Sequence, residues 1–346
     1  MRIAIVTDAW FPQVNGVVRT LSRVRDELAA MGHTVEVVAP ERFRTVPCPT
    51  YPEIRLAVFP GRAVRRLLDA FAPEAIHIAT EGPLGWAARG YCRRRGLPFT
   101  TSFHTKFPEY VEARFRLPAR WGYAVMRRFH RPSSGVMVAT RSLAETLDRA
   151  GFVNLRRWTR GVDTEMFRPM AKAALDLPRP VLLFVGRVAV EKNVEAFLSL
   201  DLPGTKVVVG DGPQRAALAR KYPDTVFTGY KTGEELAAHV AAADAFVFPS
   251  LTDTFGLVLL EALASGVPVA AFPVTGPVDV ILDPAVGCLD DDLATAVHGA
   301  LTRDPAACRA YAEGYSWRAC AEIFLGHLAP FEARTAMPGA LTAAAR

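Results

Sequence analysis

The chain has 346 residues, half of them hydrophobic and 22% charged. That is a globular composition with room for two cores, and it excludes a disordered or fibrous protein. The formal charge of +6 points to an anionic partner; with no lysine-rich tail and no nucleic-acid module, a nucleotide diphosphate or an anionic lipid fits better than nucleic acid.

Five cysteines (Cys48, Cys92, Cys288, Cys308, Cys320) stand singly with no C-x-x-C spacing. Disulfides and a zinc site are therefore not expected, and a reducing, cytoplasmic compartment is. The N-terminal apolar run of about four residues is too short for a signal sequence. Phe255 to Val274 approaches membrane-spanning length but contains Glu261, Gly266, Pro268 and Pro273, the pattern of a buried helix followed by a buried strand. A soluble protein, or one resting on a membrane surface, is the expectation.

In chain order, Ile3 to Val6 reads as the first strand of a parallel sheet. A loop leads to a helix ending near Met31, and Asn15 and Gly16 can set backbone N–H groups at its start, an arrangement that suits phosphate. Thr34 to Ala39 is the second strand, Glu41 to Glu53 is irregular, and Arg55 to Phe59 is the third strand. Gly61 to Phe71 is a basic amphipathic helix, read as a solvated face packed on the sheet. Ala75 to Thr80 and Pro98 to Thr105 are further strands. The second of these ends in a polar cluster with His104 at a strand's carboxyl end, where ligands bind in open α/β sheets. From Tyr110 to Arg131 arginines interleave with Phe115, Trp121, Tyr123 and Phe129. That mixture suits a lipid-headgroup surface and equally a helix with a buried aromatic face. Gly135 to Thr140 and Leu155 to Val162 are strands flanking a helix from Ser142 to Ala150.

Residues 165–180 lose periodicity and carry three prolines, which places the domain boundary there. The second half opens on a buried strand and runs into Gly186-Arg187-Val188-Ala189-Val190-Glu191-Lys192-Asn193. An arginine and a lysine beside a strand end and a helix start fit a diphosphate, Arg187 binding bidentately and Lys192 as a point charge; both would stabilise a departing nucleotide. Lys206 to Pro213 offers only two glycines, Gly210 and Gly212, so a dinucleotide fingerprint is unsupported. Strands follow at Thr225 to Tyr230 and Ala243 to Phe248. Next comes Thr252-Asp253-Thr254-Phe255-Gly256-Leu257, read as a loop and the first turn of a helix that carries Glu261. Over eight residues of helix the two acids lie roughly 12 Å apart, about the span from a sugar ring to the ribose of a nucleotide sugar. Thr275 to Asp279 is expected to close the back of the pocket, and Asp290-Asp291-Asp292 reads as a helix cap rather than a metal site.

Together these segments resemble the retaining glycosyltransferases of family 4, with Asp253 where the first Glu of the E-x7-E signature stands and Arg187 and Lys192 on its G-R-x(4)-K segment. The resemblance covers nearly the whole chain. It implies an α/β fold of the GT-B type, two Rossmann-like parallel-sheet domains facing a cleft. The expected domains are 1–168, joined by a C-terminal helix at about 316–330, and 169–315. It implies a metal-independent hexosyltransferase without a cofactor, acting on a nucleotide-diphospho-sugar. In that reading Glu261 holds the ribose and Arg187 and Lys192 the diphosphate. Asp253, Thr254 and the Phe255–Gly256–Leu257 backbone hold the sugar. Gly210 borders the nucleotide, Tyr230 lies at the base, Gly16 caps the diphosphate from the opposite domain and His104 orients the sugar. Asn15, Thr105 and Tyr110 fall on the acceptor side. No side chain stands out as a general base, and the family's leaving phosphate is the implied assistant to the acceptor hydroxyl. In Phe11 to Val17 and Thr252 to Gly256 the chain resembles bacterial diacylglycerol glycosyltransferases and GDP-mannose-dependent α-mannosyltransferases alike. The basic surface favours a UDP-hexose and a lipid acceptor on an anionic membrane. A UDP-sugar 2-epimerase and a non-catalytic nucleotide-sugar binding module are the readings from other classes.

Overall fold

Ile3, Ala4, Ile5 and Val6 are all shielded from solvent, as befits a strand covered by helices on both faces. In the computed structural model, which describes residues 1–13, 15–48, 54–104 and 118–331, this strand is β1 (Arg2–Val6), and it pairs in parallel with β2 (Thr34–Val38). A small antiparallel hairpin of β3 (Thr45–Pro47) and β4 (Arg55–Ala57) follows. Then come β5 (Ala75–Ile78), β6 (Thr100–Phe103), β7 (Gly135–Val138) and β8 (Leu155–Arg157), which complete a parallel sheet in the order β2-β1-β5-β6-β7-β8. A second parallel sheet contains β9 (Val181–Val185), β10 (Thr205–Val209), β11 (Val226–Gly229), β12 (Ala245–Phe248), β13 (Val269–Ala271) and β14 (Gly287–Leu289). Its order, β11-β10-β9-β12-β13-β14, is that of a dinucleotide-binding fold, with the direction of winding reversing between β9 and β12.

Two expectations are corrected. Arg55 to Phe59 does not join the main sheet. Only Arg55–Ala57 is extended, it pairs with Thr45–Pro47, and its exposed first residue suits an edge hairpin rather than a doubly covered strand. The irregular stretch before it thus contains a strand. The last strand candidate of the first half, Leu155 to Val162, is extended in the sheet only as far as Arg157.

The last helix, Trp317–His327, returns to the first sheet and packs along the helix Gly16–Ala30. Trp317, Cys320 and Phe324 enter the same core as Ile3, Leu21 and Trp158. The Trp158 indole N–H donates to the Cys320 carbonyl at 3.1 Å, and burying a ring the size of Phe324 contributes about 2 to 3 kcal/mol. At the junction Arg309 donates to the carbonyls of Thr164, Phe167 and Ala264, tying the crossing segment to the second half. Among the described residues no helix is long and apolar enough to cross a membrane.

Candidate active site

The winding reversal in the second sheet lies between the carboxyl ends of β9 and β12, and both predicted clusters leave from those two ends. Gly186 and Arg187 follow β9, with Arg187 exposed to solvent. Lys192 ends a short 3-10 turn, and Asn193, at φ +50°, turns the chain into the helix Val194–Leu198. The Asn193 amide donates to the Pro249 carbonyl at 3.1 Å, so the loop after β9 is laced to the loop after β12. Across that junction the Lys192 ammonium donates to both carboxylate oxygens of Asp253, at 2.7 and 2.6 Å. The phosphate candidate and the sugar candidate are therefore neighbours, each balancing the other's charge.

The segment after Asp253 corrects one reading. Thr254, Phe255 and Gly256 precede the helix, which runs from Leu257 to Ala264. Gly256 sits in the left-handed region at φ +81°, which interrupts the helix and which side chains other than glycine adopt at a cost. No side chain caps this helix start, so its first N–H groups are left to a ligand or to water. The acid pair is consequently joined by a turn and one helical turn rather than by eight residues of helix.

The first half of the chain meets this turn directly. The Thr254 hydroxyl donates to the His104 carbonyl at 2.8 Å. A Cβ on Gly16 would lie 3.6 Å from the Leu257 side chain, so the two predicted glycine-bearing elements face each other. Asn15 caps its own helix, its side-chain oxygen accepting from the Val17 and Val18 N–H groups at 3.0 Å. Those two donors, expected to be open to phosphate, are thereby occupied. Gly210, at φ +143°, lets the loop after β10 close against the first cluster: a Cβ there would lie 1.9 Å from the Gly186 carbonyl oxygen. Tyr230, just past β11, is 55% exposed. Thr105 and Tyr110 lie outside the described residues.

His104 is held differently from what a bare strand-end histidine suggests. Its Nε2 lies 2.8 Å from the Ser102 hydroxyl and its Nδ1 is 3.4 Å from the Arg160 guanidinium. Ser102 also lies 3.1 Å from Nε2 of His77, whose Nδ1 lies 2.9 Å from the Thr100 hydroxyl. Both ring nitrogens of His104 are thus engaged within the protein, and its carbonyl is the group that meets the loop from the other half. Burial, reinforced by the Arg160 charge, pushes the His104 imidazole well below its ordinary pKa. Arg160 stacks 4.3 Å from the Trp158 ring centroid and donates to the Trp158 and Thr159 carbonyls, while burial lowers its pKa to about 10.

Glu261 is buried on the helix behind Gly256, and its Oε1 forms an ion pair with Arg19 from the helix Gly16–Ala30. Burial raises its pKa, opposed by Arg19. One turn further on, Arg23 pairs with Asp163 at 2.7 Å. Asp279 bridges the halves as well, accepting from the Ser142 N–H at 2.9 Å and from the Ser142 hydroxyl. This gives the Thr275-to-Asp279 segment an inter-half contact, while Gly276 packs against the Asp253 and Phe255 carbonyls. Arg19, Ser102, Arg160 and Ser142 were not singled out as site residues; Ser102, two residues before His104, and Arg19, one turn past Gly16, carried positional hints. Asp292 caps the helix Leu293–Ala300. Among the described residues no group of three His, Cys, Asp or Glu side chains is placed to hold a metal ion.

Residues 14–166 match the family model Glycosyltransferase Family 4, and residues 179–303 match Glycosyl transferases group 1. A GDP-mannose-dependent alpha-mannosyltransferase from Mycobacterium tuberculosis is 33% identical, over 94% of this chain and 96% of that protein. The chain belongs to the family 4 glycosyltransferases. An alpha-monoglucosyldiacylglycerol synthase from Streptococcus pneumoniae is 29% identical over 88% of this chain and 79% of its own. The fold of this glycosyltransferase is GT-B: it superposes on the sucrose-phosphate synthase of Thermosynechococcus elongatus with a TM-score of 0.74, at 22% identity, covering 94% of this chain and 97% of that one.

Proposed function

We propose that this glycosyltransferase moves a hexosyl unit from a nucleotide-diphospho-sugar to a hydroxyl acceptor, with retention and without a metal ion. The observation that carries the reading is the convergence of Arg187, Lys192, Asp253 and the uncapped helix start on the winding reversal between β9 and β12. There the diphosphate replaces Asp253 as the partner of Lys192, with Arg187 as the second cation. The sugar takes the Asp253 carboxylate and the free N–H groups behind Gly256. Glu261 receives the ribose, the loops carrying Gly210 and Tyr230 border the nucleoside, and Gly16 faces the phosphates from the first half. As the nucleotide leaves, the two cations stabilise the growing phosphate charge.

GDP-mannose is the donor we favour, because the relative matched over nearly its whole length is GDP-mannose-dependent. UDP-hexose is the second reading, supported by the likeness to a glucosyldiacylglycerol synthase. A lipid acceptor is supported by one helix face. On Ala119–His130, Trp121 and Val125 are 65% and 57% exposed beside the exposed Arg120 and Arg128, while Met126 and Phe129 are buried. Such a face places apolar groups among cations, as an interfacial segment does. A transfer assay with GDP-mannose, UDP-glucose and UDP-galactose against diacylglycerol and phosphatidylinositol vesicles tests both halves. GDP-mannose should be turned over fastest with retained anomeric configuration, and transfer from no donor would end the reading. Absence of vesicle co-sedimentation at low salt would remove the lipid acceptor.

A further inference from the structure

Glu261 is the one acidic side chain among the described residues with a buried oxygen that has no partner. Its Oε1 is paired with Arg19, while Oε2 is sealed from solvent and unpaired. Buried acceptors are ordinarily satisfied, so an orphan oxygen calls for a missing donor. A cavity of about 160 Å³ adjoins it, lined by Arg19, Arg23, Asp163, Phe167 and Trp317 as well as Glu261 itself. The two partners come from opposite halves, Arg19 from the helix Gly16–Ala30 and Glu261 from Leu257–Ala264.

We propose that Arg19 is a positioning residue for nucleotide recognition: by holding Oε1 from across the cleft, it fixes the Glu261 carboxylate and turns Oε2 toward a ribose hydroxyl. The inference rests on Glu261 being the ribose acceptor. A lone carboxylate at this depth takes a proton unless a cation stands beside it. The charged groups facing it are Arg19 and Arg23 on the opposing helix and Asp163 on the crossing segment; its own helix carries no other. Asp163 is already paired with Arg23, so the countercharge falls to Arg19. Ribose reading is thereby made conditional on the two halves being together, because the carboxylate belongs to one half and its orienting cation to the other.

The test measures by calorimetry the Kd of GDP and of 2′-deoxy-GDP for the full chain and for Arg19→Met, Arg19→Lys, Glu261→Gln and the Arg19→Met/Glu261→Gln double variant. UDP and 2′-deoxy-UDP serve instead if the protein binds uridine nucleotides. The wild type should prefer the ribonucleotide about tenfold, the order of one charge-assisted hydrogen bond. Arg19→Met should lose most of that preference while binding of the deoxynucleotide stays within about twofold, and Arg19→Lys should keep part of it. In the double variant the preference should be no lower than in Glu261→Gln alone, since both changes act on one group. A full preference retained by Arg19→Met but lost in Glu261→Gln would overturn the role of Arg19 alone. A full preference retained in both would overturn the ribose reading and this inference with it.

Discussion

Acidification should loosen the first half of this protein through His77. That side chain is fully buried between the Thr100 and Ser102 hydroxyls, with the rings of Trp158 and Phe324 against it. Burial, with the Arg160 charge adding to it, lowers its pKa from 6.5 to about 3. A folded pKa below the unfolded one means that the unfolded chain takes up the extra proton. Its stabilising contribution is therefore complete above about pH 6.5 and is lost as the pH falls toward 3. Each pH unit in that window is worth about 1.4 kcal/mol, so going from pH 8 to pH 5 removes about 2 kcal/mol. At roughly 2 to 4 °C per kcal/mol for a unit of this size, that is about 4 to 8 °C in Tm. His104 shifts in the same direction and adds to the fall. Thermal unfolding of the wild type and of His77→Gln at pH 8 and pH 5 is the assay. The variant has no group to titrate at this position, so its fall between the two pH values should be smaller by about 4 to 8 °C. Equal falls in the two proteins would refute the reasoning, whatever the variant's stability at pH 8.

Lys192 and Asp253 are only partly exposed and pair with each other, so Asp253→Asn should free the ammonium. Binding of a nucleoside diphosphate should tighten about two- to fivefold while transfer drops, and weaker binding in calorimetry would contradict the competition. Lys192→Ala should lower kcat/KM for the donor about ten- to a hundredfold, the worth of a charged hydrogen bond, and unchanged steady-state kinetics would exclude a phosphate role. Gly210→Ala forces a Cβ against the Gly186 carbonyl at 1.9 Å; with the unfavourable φ it should cost about 3 kcal/mol or more, measured by urea unfolding, and a neutral effect would mean that the two loops are not held together.

The second sheet was nearly all readable because its strands are short apolar runs that cannot be anything but buried: Val181–Val185 and Ala245–Phe248 are covered at every position. The placement of Arg187, Lys192 and Asp253 was readable for the same reason, since each follows such a run at the carboxyl end of a strand. The hairpin was not, because Thr45–Pro47 and Arg55–Ala57 are three-residue strands, each partly exposed, with too few positions for a period to register. The start of the helix bearing Glu261 was misplaced because its apolar run extends through Phe255. What stops the helix is the left-handed turn at Gly256, and a glycine's φ is not written in hydropathy. Arg19 and Arg160 escaped because their roles are made by tertiary contact. Arg19 meets a carboxylate 242 positions away, and Arg160 acts on a histidine 56 positions earlier; neither pairing leaves a local pattern.

A structure of the protein with a nucleoside diphosphate bound speaks most directly to where the donor sits. The phosphates should contact Arg187 and Lys192, with Asp253 released from the lysine, and the ribose should donate to Glu261 at the oxygen now lacking a partner. A nucleotide seated anywhere else, with the Lys192–Asp253 pair intact, would contradict the account.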